Sequence, residues 1–361
     1  MTKNKRAIWV INSNRWNSAI TEYTLQLALV LSKTFKVIYS PLRGSIPEKR
    51  ALACGLTVIP FENFGISESD RFNYVKTQQT PFFIFTTGGK ETTLLAFSQK
   101  PSHETRIRIK GDNLKSGWIR GFLFKTIHKT FDGFLVPSSI IAKQIKLTKK
   151  QKLNVIELGL NEKQFFYQRN VKIEEPRILI FGRLDPVKGH TRFMQIFSEF
   201  LKRNPDNKTK LHIYGREENV KFEDLVTKAK SLGIDDKVVY KSGTIENVRN
   251  EMGAASLGII PSEGSELICR VAYEFVMCGV PVLVSGVGAT EETLKNDNFG
   301  ASYKNLSDID ASIVLEKLLQ KVSAQHFSGA KLAKDAENHF SHRSMGIKLE
   351  NFLEDLSIFG V

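Results

Sequence analysis

A chain of 361 residues with 41% hydrophobic and 25% charged residues excludes a disordered segment and holds core material for two compact units of about 150–200 residues each. Three cysteines, Cys54, Cys269 and Cys278, stand without CxxC spacing, which argues against a disulfide framework and a zinc site; they read as reduced, half-buried small apolar side chains. The net charge of +14 is concentrated in the first half, where residues 1–170 hold 27 Lys/Arg against 11 Asp/Glu while residues 171–361 hold 25 against 27; either that half meets a polyanionic partner, or a basic surface keeps it soluble.

The chain opens on MTKNKRAIWVINSN, whose apolar run is far shorter than the core of a signal peptide, and no later stretch reaches the roughly 20 apolar residues of a membrane span. A cytoplasmic protein is expected. Predicted strands follow at AIWVIN (7–12), FKVIYS (35–40), LTVIP (56–60), PFFIFT (81–86), ETRIRIK (104–110), GFLVPS (133–138) and NVIEL (154–158). The stretch QRNVKIEEP (168–176) has no period and reads as a seam. Beyond it RILIF (177–181), KLHIY (210–214), KVVYK (237–241), SLGII (256–260) and PVLVS (281–285) alternate with segments of helical period, among them a face of Phe193, Ile196, Phe197, Phe200 and Leu201. Short apolar runs separated by helix-length segments predict parallel sheets with crossover helices. The fold class is therefore α/β, with two doubly wound, Rossmann-like domains facing across a cleft: residues 1–170, residues 171–338, and a C-terminal helix over 339–361 packing back toward the first domain. Such sheets place ligands at the carboxyl ends of their strands.

Two strings carry chemistry. RILIF runs into GRLDPVKGH (182–190), where Gly182 permits a sharp turn and Arg183 and Lys188 set two cations where a diphosphate would sit; a surface loop with two solvated cations fits the same string. The second is PSEGSELICRVAYEFVMCGVPVLVS (261–285), read as a polar loop and a helix of about 12 residues starting at Glu266 and ending at Cys278-Gly279. A helix starting at this sheet edge aims its free N–H groups and dipole at a phosphate. Eight helical residues turn by roughly 800°, bringing Glu266 and Glu274 within about 80° of one face, suited to sugar and ribose hydroxyls. The alternative is a Glu complementing the helix dipole and a second facing solvent.

Over residues 177–290 the chain resembles the family 4 glycosyltransferases of the GT-B fold, through GRLDPVKG, HIYGRE, the two glutamates separated by seven residues, and GVPVLVSGVGATEE, with weaker likeness in FDGFLVPSSIIAKQI and VIELGLNEKQF. The resemblance implies retaining transfer of a hexosyl or heptosyl group from a nucleotide-diphosphate sugar to a glycan or lipid-linked acceptor. Arg183 and Lys188 would bind the diphosphate, Glu274 the ribose, and Glu266 with the following amides of Leu267 and Ile268 the transferred sugar; Gly215 and Thr244 complete the donor site. SELICR around Glu266 looks most like enzymes of lipopolysaccharide cores and related bacterial surface glycans. The family's glycine pair after the first strand is replaced by Asn12-Ser13-Asn14-Arg15-Trp16-Asn17-Ser18, which leaves Ser18 and Asn17 as candidate contacts and keeps open a catalytically silent, glycan-binding subunit. Asp112, in RIRIKGD, falls where the family tends to place a sugar-facing His or Asp; His103 and His128 are alternatives, and capping of the next segment is another use of Asp112.

The sole D-x-D string, Asp308-Ile309-Asp310, reads as helix capping, so no divalent metal and no cofactor beyond the nucleotide-sugar co-substrate is expected. Neither a P-loop nor G-x-G-x-x-G is present. Basic residues without a nucleic-acid module or interleaved exposed aromatics leave nucleic acid aside and favour an anionic membrane surface. The stretch from Lys115 to Lys152 would lie against it.

Overall fold

The computed structural model describes residues 7–112, 126–168, 176–243, 245–264, 266–323 and 328–358. The chain divides into two compact units, Met1–Gly159 with His342–Val361, and Leu160–Ser341.

The first unit is built on seven strands, β1 (Ala7–Asn12), β2 (Lys36–Pro41), β3 (Thr57–Val58), β4 (Phe83–Thr86), β5 (Thr105–Ile109), β6 (Gly133–Val136) and β7 (Lys152–Val155). Their order is β3-β2-β1-β4-β5-β6-β7 and every pairing is parallel. The runs are continuously apolar because helices cover both faces: Ile8 to Ile11 are fully buried. On one face the Trp9 ring lies 4.8 Å from Phe72, tilted by 35°, and packs with Phe61 and Phe64. A buried ion-pair group tightens the amino end of β5, where Glu104 takes Arg106 Nε (2.6 Å) and Lys76 Nζ (2.7 Å). The last helix, His342–Ile358, belongs to this unit. Lys348 pairs with Glu157 at 2.7 Å, Thr34 donates to Glu350 at 2.9 Å, and a Cβ on Gly133 would press on Phe352 and Leu356.

The second unit holds six parallel strands, β8 (Arg177–Phe181), β9 (Lys210–Gly215), β10 (Val238–Ser242), β11 (Leu257–Ile260), β12 (Val282–Val284) and β13 (Gly300–Ser302), in the order β10-β9-β8-β11-β12-β13. The helix His190–Arg203 buries Phe193, Ile196, Phe197 and Phe200 against this sheet, with Leu201 partly buried beside them. Both sheets therefore have the doubly wound order in which the first strand stands beside the fourth. Strand β13 has no counterpart in the predicted elements, since Gly-Ala-Ser carries no apolar run, and β7 begins two residues before the predicted NVIEL strand. Of the cysteines, all free, Cys269 and Cys278 are buried, but Cys54 is exposed: it ends the helix Ile46–Ala53 at the surface instead of lying half-buried.

Candidate functional site

In the second sheet the strand order reverses between β8 and β11, and doubly wound sheets take ligands at the carboxyl ends of the strands at such a switch point. Both chemistry-bearing strings lie there. After β8, Leu184 pairs with Glu217 and its carbonyl accepts from the amides of Glu218, Asn219 and Val220. Asp185 caps a short 3-10 turn, Pro186–Lys188, by accepting from Val187 N at 3.1 Å, and also takes Asn219 Nδ2 at 2.7 Å. The turn ends on Gly189, whose φ of +67° is left-handed and whose missing Cβ leaves room for the Pro261 carbonyl. Val187 O accepts from the amides of Glu263 (2.9 Å) and Gly264 (3.1 Å). Backbone contact thus fixes the β8 loop against the β11 loop.

Across that contact Lys188 Nζ meets Glu266 Oε2 at 2.6 Å, and Ser262 Oγ donates to the same oxygen at 2.8 Å. Glu266 is held from behind as well: its carbonyl accepts from Ala289 N at 2.6 Å, and a Cβ on Gly288, φ +59°, would overlap its backbone. This corrects the predicted helix. The helix runs over Arg270–Met277 after an N-cap at Cys269, not from Glu266, because Glu266 O is committed to Ala289 and cannot accept from Arg270 in a helical ladder. The two glutamates therefore do not share a helical face. Glu274 lies on the helix, nearly fully buried, and takes Arg270 Nε at 2.6 Å. Glu266 lies in the non-helical approach, followed by bends at Leu267 and Ile268, whose amides meet no acceptor among the described residues. Free N–H groups ahead of a helix start form an anion-binding feature.

Arg183 is exposed and pairs with Glu218 Oε1 at 2.9 Å and, more distantly, with Asp185 Oδ2 at 3.8 Å. The amide of Val187 and the Asn219 side chain hold the Asp185 carboxyl below its ordinary range. His190, next to this loop and almost fully buried, is pushed down to about 4 by burial and by the Lys188 charge, which keeps it neutral. Gly215 ends β9 where a Cβ would overlap the Gly182 carbonyl, so glycine allows the two strand ends to meet. Thr244 lies outside the described residues. Ser262, Ser285 and Glu218 are the partners that sequence reasoning missed; Ser285 Oγ donates to Ser262 O at 2.6 Å, fixing the β11 loop.

In the first unit Ser18 caps the helix Ala19–Leu31, accepting from Thr21 N at 3.3 Å, and Asn17 Oδ1 accepts from Arg50 at 3.0 Å. Asp112 follows β5 with its side chain largely exposed, 4.0 Å from Lys110 Nζ, and the segment it was read as capping lies outside the described residues. His103 is exposed at the amino end of β5, away from the ligand-binding edge. His128 packs on Phe134 at 5.1 Å and is held down to about 4 by burial and the charges of Arg108 and Lys110. At the start of the helix Asp308–Ser323, Ser307 Oγ accepts from Asp310 N at 3.1 Å and Asp308 pairs with Arg192.

Residues 161–330, which lie within the second unit, match the family model described as glycosyl transferases group 1. The D-inositol 3-phosphate glycosyltransferase of Paenarthrobacter aurescens (strain TC1) is 26% identical over 190 residues, 52% of this chain and 46% of that protein; the match spans about half the length of that curated relative. Among solved structures, Anabaena Alr3699/HepE in complex with UDP has a TM-score of 0.78 at 13% identity, covering 97% of this chain and 100% of that one. The apo lipopolysaccharide outer core galactosyltransferase WaaB has a TM-score of 0.72 at 13% identity, covering 97% and 99%. With two doubly wound parallel sheets, these likenesses give the fold, which is of GT-B type.

Proposed function

We propose that this chain is a glycosyltransferase that moves a sugar from a nucleoside-diphosphate sugar, held by the second unit, to a glycan or lipid-linked acceptor. The observation that carries the reading is the coincidence of the group 1 match with one cluster at the switch point of the second sheet: Lys188, Glu266, Ser262 and the free amides of Leu267 and Ile268. Such a cluster suits a diphosphate beside a polyhydroxylated ring.

In this reading Arg183 and Lys188 bind the diphosphate and neutralise the charge that grows on the leaving phosphate, with the amides of Leu267 and Ile268 adding preorganised dipoles. That kind of stabilisation often supplies the largest catalytic contribution. Glu266 takes hydroxyls of the transferred sugar, Glu274 the ribose, and Gly215, Thr244 and Ser18 border the donor. Displacement passes through an oxocarbenium-like state with retention at the anomeric carbon, and Asp112 is the first unit's catalytic candidate. These cations and dipoles take the place of a divalent metal.

The SELICR segment, with the likeness to WaaB, supports a place in lipopolysaccharide or surface-polysaccharide synthesis. Among the described residues no helix is long and apolar enough to cross a membrane. Lys129, Lys143, Lys146, Lys149 and Lys150 are exposed, while Lys115, Arg120 and Lys125, with Trp118, Ile119, Phe122, Leu123 and Phe124, fall outside the described residues. At about 1 kcal/mol for each basic residue near an anionic surface, the exposed lysines support reversible attachment to the cytoplasmic face of a membrane.

Calorimetric titration with UDP and a panel of nucleotide sugars, followed by product analysis, tests the reading. Binding of a nucleotide sugar with donor hydrolysis or transfer is expected. Binding without any turnover would leave a catalytically silent subunit, and no nucleotide binding would discard the reading.

A further inference from the structure

At the amino edge of the first sheet, opposite the loops that leave β1 and β4, lies a cavity of about 260 Å³. Thr105 and Lys152, the first residues of β5 and β7, line it with Asp132, Lys100, Lys150 and Leu356. Strand register brings them together. Side chains alternate between the faces of a strand, and paired residues of neighbouring strands share a face. Thr105 stands two residues before Ile107, Ile107 pairs with Gly133, and Gly133 pairs with Lys152. Thr105 and Lys152 therefore share the face on which a Cβ at Gly133 would press on Leu356 of the last helix. Arg106, on the other face, turns its guanidinium to Glu104 and to the carbonyls of Ser98 and Gln99.

Two independent observations point to a ligand. Thr105 is only 8% exposed, yet its hydroxyl meets no partner among the described residues, and a buried hydroxyl without a partner is costly. The second observation is charge. Asp132 is fully engaged, Oδ1 by Lys100 Nζ at 2.6 Å and Oδ2 by the same ammonium and by the Arg106 amide at 2.8 Å. Glu104 is buried between Lys76 and Arg106. These two carboxylates stand against five cations, Lys76, Lys100, Arg106, Lys150 and Lys152, and the exposed Lys150 has no partner among the described residues. Glu354 and Asp355, on the last helix, are exposed and do not line the cavity. An excess of positive charge thus stands beside an unused hydroxyl donor.

Size and side-chain type narrow the ligand. The volume falls below the roughly 300–1,000 Å³ of pockets for drug-sized molecules, which suits a compact anion and not a nucleotide sugar. Among the described residues the cations that line the cavity are all lysines. Lysine binds phosphate as a point charge, whereas a planar carboxylate favours the paired N–H groups of arginine. We infer that this cavity is a second anion site, which takes a phosphate carried on a small polyol, with Lys150 and Lys152 meeting its charge and Thr105 donating to one of its oxygens. The site shares no residue with the second unit's cluster and does not depend on the glycosyltransferase reading.

Phosphorus NMR titration of glycerol 3-phosphate with the full chain tests this, in saturating UDP so that a diphosphate site elsewhere is filled. Saturable broadening of the ester signal is expected. Lys150→Gln should weaken binding about fivefold to tenfold and Thr105→Val about threefold, while Lys143→Gln, at an exposed lysine outside the cavity, leaves it unchanged. Phosphatidylglycerol vesicles that displace the ester assign the site to a lipid headgroup; an ester that stays bound in their presence assigns it to a soluble phosphomonoester. Absence of saturable broadening, or an equal loss in Lys143→Gln, overturns the inference. Unchanged ester binding in both Lys150→Gln and Thr105→Val overturns it too, and a loss of stability of Lys150→Gln in urea would then show that this lysine only complements the carbonyl end of the last helix.

Discussion

Lys188 Nζ sits 2.6 Å from Glu266 Oε2, so the cation assigned to the diphosphate and the carboxylate assigned to the sugar form one pair across the loops that leave β8 and β11. The pair is partly exposed, 28% and 14% for the two side chains, and an incoming phosphate can share the ammonium without breaking the loop contact beneath it. Lys188→Ala should remove a charge-assisted contact of about 1.5–3 kcal/mol and weaken UDP binding by about one to two decades. Titration calorimetry with UDP checks it. Unchanged affinity in both Lys188→Ala and Glu274→Ala would remove the donor site from this crevice.

Arg183 stands differently, because its strongest partner, Glu218, competes with a phosphate for the same guanidinium. Glu218→Gln should therefore tighten UDP binding. An exposed pair contributes at most about 1 kcal/mol, so the gain is up to about fivefold and shrinks as salt rises. Weaker binding in this variant would mean that Glu218 positions Arg183 and does not restrain it.

Much of this arrangement is legible in sequence because buried parallel strands write themselves as apolar runs: AIWVIN and RILIF coincide with β1 and β8 residue for residue. The loop chemistry of Arg183, Lys188 and Glu266 was legible from position after such strands. The start of the helix at Arg270 was not, since helical period continues through SELIC while the Glu266 carbonyl is taken by Ala289, 23 positions away in the chain. Long-range backbone pairing leaves no local signal.

Gly189 and Gly233 share a φ of +67°, yet a Cβ on Gly233 meets nothing while one on Gly189 overlaps the Pro261 carbonyl. Gly233→Ala should cost about 1–2 kcal/mol, the left-handed strain alone. Gly189→Ala adds a backbone clash that separates the β8 and β11 loops, so it should destabilise the second unit further and weaken UDP binding, which Gly233→Ala leaves intact. Urea unfolding and calorimetry on both variants decide; equal behaviour would show that the loop contact does not shape the site.

Turnover is expected to persist in EDTA, because Arg183, Lys188 and the amides of Leu267 and Ile268 would meet the diphosphate charge directly. Activity lost on chelation and restored by magnesium or manganese would reassign that role to a metal ion.

His190 ties the stability of the second unit to pH. Burial, with the nearby Lys188 charge, lowers its imidazole from 6.5 to about 4, and the Asp185 carboxylate offsets this only in part. Between those values the unfolded chain binds a proton that the folded chain refuses, so stability rises with pH across the window and is lost as pH falls from about 6.5 toward 4. A single group with these two values accounts for about 1.4 kcal/mol of lost stability between pH 7.5 and 5.5. His212, also lowered to about 4 by burial, acts in the same direction, so the unaltered chain should lose more than His190 alone explains. His190→Gln, which cannot take up the proton, should be less stable at pH 7.5 yet lose about 1.4 kcal/mol less on acidification, while His190→Leu should show the same reduced slope without a polar group. Urea titrations of the three proteins at the two pH values measure it. Parallel losses in all three would mean that His190 is protonated in the folded chain, and that the charge of Lys188 beside it is not what the geometry implies.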